Sequence, residues 1–247
     1  MALWPSWVSQ LDHPTSPLSL QTPLVQLAAS EEEAERMRQL AQARQGRGLR
    51  FLDEPALPPA PTPWPRPGHG ALLSEQDGRV DPLGLMRALR RAFDARGGTM
   101  QATTAQRLER SGAGCEGRWR VITADGDPLR VDAVVICSAL GSSQLIEPLG
   151  HHRPMGAVLG QVLDLKLPNP QSSWKDWPAV LTCGGVNLIP HGDQQLWLGA
   201  TVEPGTVADS SHVFAMKTLN NLAPPWLKDA ECIGQWQGLR ARPQDRP

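Results

Sequence analysis

The sequence predicts an α/β protein: one part built like an arm of a doubly wound nucleotide-binding fold, joined to a second, α+β part that is largely antiparallel. Three observations predict it. A capped helical segment begins at Asp81-Pro82, a short β excursion follows it, and the chain then enters the apolar run Val131-Asp132-Ala133-Val134-Val135-Ile136-Cys137. Beyond residue 150 the pattern changes to strand, turn, strand, and no internal repeat of fixed period is present.

The first element in order is a charged helix over 31–45. Ser30 followed by Glu33 forms a capping box, and Gly46 and Gly48 close the segment. The prolines then cluster between Pro55 and Pro67, where each ring fixes φ and removes a donor, so an extended, irregular connector is expected. Asp81 supplies an N-cap with Pro82 at the first helical position. Leu85, Leu89 and Phe93 recur at helical spacing until Gly97-Gly98 ends the run. Trp119 to Thr123 reads as a strand, Asp125-Gly126 as a turn, and residues 131–137 as a buried strand in a sheet covered on both faces. In the second half, Leu159 to Leu167 alternates in part. Val186 to Pro190, the turn His191-Gly192-Asp193 and Leu196 to Thr201 read as a hairpin.

Composition bounds the function. The 24 Lys and Arg nearly balance the 25 Asp and Glu, and the net charge of −1 offers no footprint for phosphate backbones, so nucleic acid is not an expected partner. No apolar run approaches the roughly 20 residues that cross a bilayer, and the N-terminus lacks a basic leader region, so no membrane contact and a cytoplasmic location are expected. Cys115, Cys137, Cys183 and Cys232 are scattered without zinc-ligand spacing, which points to reduced structural thiols. His151-His152 and His191 have no third ligand at useful spacing, so no metal site is expected. Ser142-Ser143 follows an apolar run as a nucleophile would, yet no Gly-x-Ser-x-Gly elbow surrounds it. Gly112-Ala113-Gly114-Cys115-Glu116-Gly117 fits G-x-G-x-x-G literally. Its context is wrong, because a polar stretch precedes it and a strand rather than a helix follows; a hairpin tip is the expected structure.

Four segments in order carry a resemblance. They are Gly70-Ala71-Leu72-Leu73 with Asp77-Gly78-Arg79-Val80-Asp81-Pro82, then residues 134–150, then residues 154–165 with Val186-Asn187-Leu188-Ile189-Pro190 and Leu198-Gly199-Ala200-Thr201, and last Trp236-Gln237-Gly238-Leu239-Arg240. Together they resemble the D-amino-acid oxidase and glycine oxidase family of flavoenzymes across about two-thirds of the chain. The resemblance implies FAD as cofactor, a primary or secondary amine or amino acid as substrate, hydride transfer from its Cα, hydrolysis of the resulting imine, and reoxidation by dioxygen.

Arg240 matches the family's substrate arginine, whose planar fork holds a carboxylate through two charge-assisted hydrogen bonds. Taken without the resemblance, it reads as a surface ion-pair residue. Gln106, Ser138, Ala139 and Gly141 are the candidate flavin contacts, Ala139 standing where the family usually has glycine. The implied organisation is a helical and proline-rich joining segment at 1–76, a partial FAD-binding domain at 77–150, an antiparallel substrate domain at 151–235 and a return to the FAD domain at 236–247. The family's opening glycine-rich unit is not found before Met1, so a piece truncated at both ends and poor in bound flavin is expected. The rival readings are a binding module or non-catalytic remnant, and a nicotinamide-linked dehydrogenase, which needs the same glycine-rich unit.

Overall fold

A computed structural model of the chain describes residues 3–15, 17–112, 118–169 and 173–244. In chain order the elements are α1 (Trp4–Leu11), β1 (Leu24–Leu27), α2 (Glu31–Ala43), β2 (Leu49–Leu52), β3 (Ala71–Ser74), α3 (Pro82–Asp94), β4 (Ala105–Arg110), β5 (Trp119–Thr123), β6 (Leu129–Val131), α4 (Ser142–Ile146), β7 (Met155–Lys166), β8 (Val180–Cys183), β9 (Val186–His191), β10 (Gln195–Gly199), β11 (Glu203–Pro204), α5 (Ser210–Lys217), α6 (Pro225–Lys228) and β12 (Glu231–Pro243). The result is a mixed α/β fold with one large mixed sheet and one small antiparallel sheet. No helix of the described residues is long and apolar enough to cross a membrane.

Two compact units divide the chain. The first comprises Met1–Gly98, Gln161–Thr201 and Asp209–Gln237; the second comprises Thr99–Gly160, Val202–Ala208 and Gly238–Pro247. In the first unit the sheet order is β2-β3-β1-β8-β9-β10-β7. Every pairing is antiparallel except β1 with β8, where Val25 lies opposite Leu181. Alternation sets its core: β9 buries Val186, Leu188 and Pro190 in turn, and Leu27, Leu165, Leu181, Leu188, Leu196 and Leu198 are fully enclosed. Residues 1–76 supply three strands of this sheet, β1, β2 and β3.

Local signals explain the helices. Ser30 Oγ accepts from Glu33 N–H, and Glu33 reaches back to the Ala29 N–H at 2.9 Å, one residue before the usual capping-box donor. Ala34 and Met37 then pack on Leu72 of β3. At α3, Asp81 accepts from Leu83 and Gly84 N–H groups, and Arg91 donates to the Leu11 carbonyl. The helix lies where the spacing of Leu85, Leu89 and Phe93 put it; its buried face is Gly84 and Ala88 with Leu85 packed beside them, whereas Leu83, Met86, Leu89 and Phe93 are exposed.

The proline strip is irregular over 57–67, as expected, and it contributes to the core through buried Leu57, Thr62 and Trp64 while Pro58, Pro59, Pro61 and Pro63 are exposed. Thr62 Oγ1 donates to Ser173 O at 2.9 Å, Trp177 Nε1 donates to Thr62 O, and Trp226 Nε1 donates to Pro63 O at 2.8 Å. Trp64, Trp174, Trp177 and Trp226 meet edge to face, with centroids 5.0 to 6.3 Å apart. Such pairs add about 0.5–1.5 kcal/mol each beyond area burial. Proline carbonyls have no internal partners in an extended strip, and the indole N–H groups satisfy two of the strip's carbonyls.

In the second unit, β4, β5 and β6 form an antiparallel sheet in that order, with a bulge between Ala105 and Arg107. Helix α4 packs against β4, and the first half of β7 pairs with β11, Leu159 opposite Glu203. The expected buried strand over 131–137 is not there. Pairing ends at Val131, residues 132–137 carry no strand assignment, and Val135 is 85% exposed. A strand is stabilised by neighbours that take its N–H and C=O groups, and among the described residues no strand is aligned beside 132–137.

Candidate active site

In the second unit, Arg240 lies on β12, which pairs with β7, and its guanidinium sits against the Cα of Gly160. A Cβ at position 160 would collide with Arg240 Nη2 and lie 2.6 Å from Cζ and 2.9 Å from Nη1. The Gln244 N–H donates to Pro154 O at 3.0 Å, holding the end of β12 beside the start of β7. Arg240 is an exposed residue overall, and its guanidinium end is the part that lies against buried Gly160.

Ser138, Ala139 and Gly141 lie together in one turn, a 3₁₀ segment Ala139–Gly141 leading directly into α4. Gly141 N–H donates to Ser138 O at 2.9 Å, and Ser138 Oγ is 3.2 Å from Ser142 Oγ. Ala139 has φ of 49°, in the left-handed region that favours glycine, which gives a physical reason for glycine at this position in the resembling family. Only the Ser138 side chain comes near the space a Cβ at Gly141 would enter, at 3.7 Å and beyond. The turn is thus open enough for a cofactor to approach its backbone, and in that respect it fits one. Gln106 occupies the bulge of β4, exposed, on the strand against which α4 packs. The structure therefore gathers Ser138, Ala139 and Gly141, puts Gln106 on the neighbouring strand, and seats Arg240 on a different pair of strands. Apart from Gly112, the Gly112 to Gly117 pattern lies outside the described residues, as does Cys115.

The first unit holds polar groups that sequence reasoning missed. Gln161 N–H donates to Thr201 Oγ1 at 2.8 Å and Thr201 N–H donates to Gln161 O at 3.1 Å, both residues being buried. Gln161 Nε2 donates to Asp209 O at 3.3 Å, and Gln235 Nε2 donates to Gln161 Oε1 at 2.9 Å. The Ser211 N–H on Asp209 at 2.7 Å holds that carboxyl below its usual range while capping α5. His191, read as a turn residue, is instead held 2.9 Å from Asp164 Oδ1 and lies over Trp197 at 4.3 Å between ring centroids, with Trp236 edge-on to Trp197 at 5.8 Å. These partners lie on different strands, so no local spacing could announce them. The repeated apolar-polar alternation of β7, β9 and β10 was the available signal for which side chains share a face.

Among the described residues no group of three or more His, Cys, Asp or Glu is placed to hold a metal. Cys137, Cys183 and Cys232 are free thiols. Burial pushes the Cys183 thiol up to about 11, with Glu33 adding to the effect, so it is a packing residue and a poor nucleophile. Ser143 Oγ donates to Arg153 O at 2.8 Å, an ordinary structural role.

The mixed α/β fold is one found among oxidoreductases that use a flavin, and the chain belongs to such a family: residues 1–247 match DAO, FAD dependent oxidoreductase. FAD is the family's cofactor. The chain is 30% identical over 237 residues to the tRNA 5-methylaminomethyl-2-thiouridine biosynthesis bifunctional protein MnmC of Burkholderia pseudomallei, which covers 90% of this chain and 34% of that protein. It therefore spans about a third of the curated relatives it matches. Among solved structures, glycine oxidase from Geobacillus kaustophilus superposes with a TM-score of 0.81 at 22% identity, covering 99% of this chain and 66% of the other. L-proline dehydrogenase from P. horikoshii gives 0.80 at 15% identity, covering 99% and 66%. At these identities the structural likenesses carry the fold.

Proposed function

We propose that the protein to which this chain belongs oxidises the Cα–N bond of a carboxylate-bearing primary or secondary amine, with Arg240 holding the carboxylate. The observation that carries this reading is the Arg240 guanidinium set against Gly160 on paired strands, in a chain whose whole length matches the family. A guanidinium presents parallel donors to a carboxylate, which fixes the substrate's Cα in one orientation. FAD, when bound, supplies the two-electron oxidant that takes up the Cα hydride. The amine nitrogen loses a proton as the imine forms, water hydrolyses the imine to a carbonyl compound and the free amine, and dioxygen serves as the final acceptor. Ser138, Ala139 and Gly141 would hold the cofactor through backbone groups, with Gln106 beside them. In this reading 77–150 and 236–247 form the cofactor side, 151–235 the substrate side, and 1–76 joins them.

A second reading places the amine on a modified uridine of tRNA. The 30% identity to proteins named for 5-methylaminomethyl-2-thiouridine biosynthesis favours it. The near-neutral charge of this chain means that phosphate-binding charge would have to come from elsewhere in such a protein.

The test is Arg240→Ala in the FAD-loaded protein. Sarcosine turnover is expected to fall about a hundredfold in kcat/KM, two charge-assisted hydrogen bonds being lost, while a carboxylate-free amine such as dimethylamine is oxidised as before. Equal losses on both amines would remove Arg240 from this role. Turnover of an aminomethyl-uridine nucleoside exceeding that of sarcosine would select the tRNA reading. A protein that stays colourless with added FAD would select the binding-module alternative.

A further inference from the structure

We infer that Gly160 is a positioning residue for Arg240, and that its missing side chain sets the preference for a carboxylate; this rests on the reading of Arg240 given above. Gly160 is buried inside β7, and its φ lies outside the left-handed region, so the backbone does not require glycine there. Space does. Of the four glycines on β7 and β12, Gly238 has nothing near its missing Cβ, while Gly156 and Gly234 would make ordinary contacts at 3.4 Å. Only at Gly160 would a methyl overlap a neighbour, and the overlapped atoms are Cζ, Nη1 and Nη2 of the guanidinium. The plane therefore uses the bare Cα as its seat.

Those atoms end a flexible side chain. A methyl at 160 displaces the fork by roughly 1 Å to restore normal contact and leaves the strand pairing in place. A carboxylate held by two parallel hydrogen bonds is sensitive to such a shift, and a misplacement of about 1 Å can cost on the order of a hundredfold. An amine without a carboxylate does not use the fork and is indifferent to it.

The experiment compares Gly160→Ala, Arg240→Ala and the double variant in the FAD-loaded protein, with acetate as a bare carboxylate ligand followed by its perturbation of the flavin absorption. Gly160→Ala is expected to weaken acetate binding and raise KM for sarcosine by about tenfold or more, with kcat for dimethylamine within about twofold of the parent. The double variant is expected to bind acetate no worse than Arg240→Ala alone, because both changes act on one interaction. If Gly160→Ala lowers the melting temperature, Arg240→Ala in the same chain removes the overlap and is expected to restore it; failure to restore it overturns the inference. Unchanged acetate affinity in Gly160→Ala, with affinity lost in Arg240→Ala, overturns the role of Gly160 and leaves that of Arg240 standing. Unchanged affinity in both overturns the two together.

Discussion

Strand β9 and segment 132–137 invert the ranking that hydrophobicity alone would give them. Segment 132–137 is the more apolar, yet Val135 is 85% exposed and the segment carries no strand assignment. Strand β9 includes Asn187, Pro190 and His191, yet Leu188 is fully buried, with Leu181 opposite it on β8 and Leu198 opposite it on β10. The difference lies in neighbours. Apolar residues create a demand for cover, but hydrogen-bonded strands on both sides supply it, and within the described residues only β9 has them.

Amide hydrogen exchange probes this contrast over the widest range. In the 247-residue chain the Leu188 amide is expected to exchange only through global opening, and amides of 132–137 faster by roughly a thousandfold or more. Comparable protection in both would break the comparison. Next in size, Leu188→Ala should cost about 2–5 kcal/mol in urea denaturation, since it opens a cavity between β8 and β10. A loss under 1 kcal/mol would mean that β9 is less enclosed than described. The smallest effect is expected from Val135→Ala, within about 0.5 kcal/mol of the parent, as for an exposed position without a special contact. A larger loss would place cover over this segment.

How much of this was legible in the sequence depends on how far apart the partners lie. Ser30 with Glu33 and Asp81 with Pro82 act within a few residues, so both helix starts could be read directly, as could the hairpin of β9 and β10 around Gly192. The burial of the proline strip could not. Its hydrogen bonds join Thr62 to Ser173 and Trp177, and Pro63 to Trp226, across separations of 111 to 163 residues. The site divides in the same way. The motif ending at Arg240 could be matched as a string, and Ala139 could be singled out as a departure, later found at a left-handed φ. That Gly160 lies beneath Arg240, or that Asp164 meets His191, follows from how strands are placed side by side, which no local spacing encodes.

The four-tryptophan group around the proline strip makes the protein its own optical gauge. With nine tryptophans and no tyrosine, ultraviolet emission comes essentially from indole alone. Trp64 is enclosed in the hydrocarbon-like interior beside Trp174, Trp177 and Trp226, whereas Trp4 and Trp7 face water, so the spectrum is a sum of a blue and a red population. Loosening the strip would drain the blue component first, reporting without any added dye on the core cluster that Trp64 shares with Val25, Leu181 and Leu188.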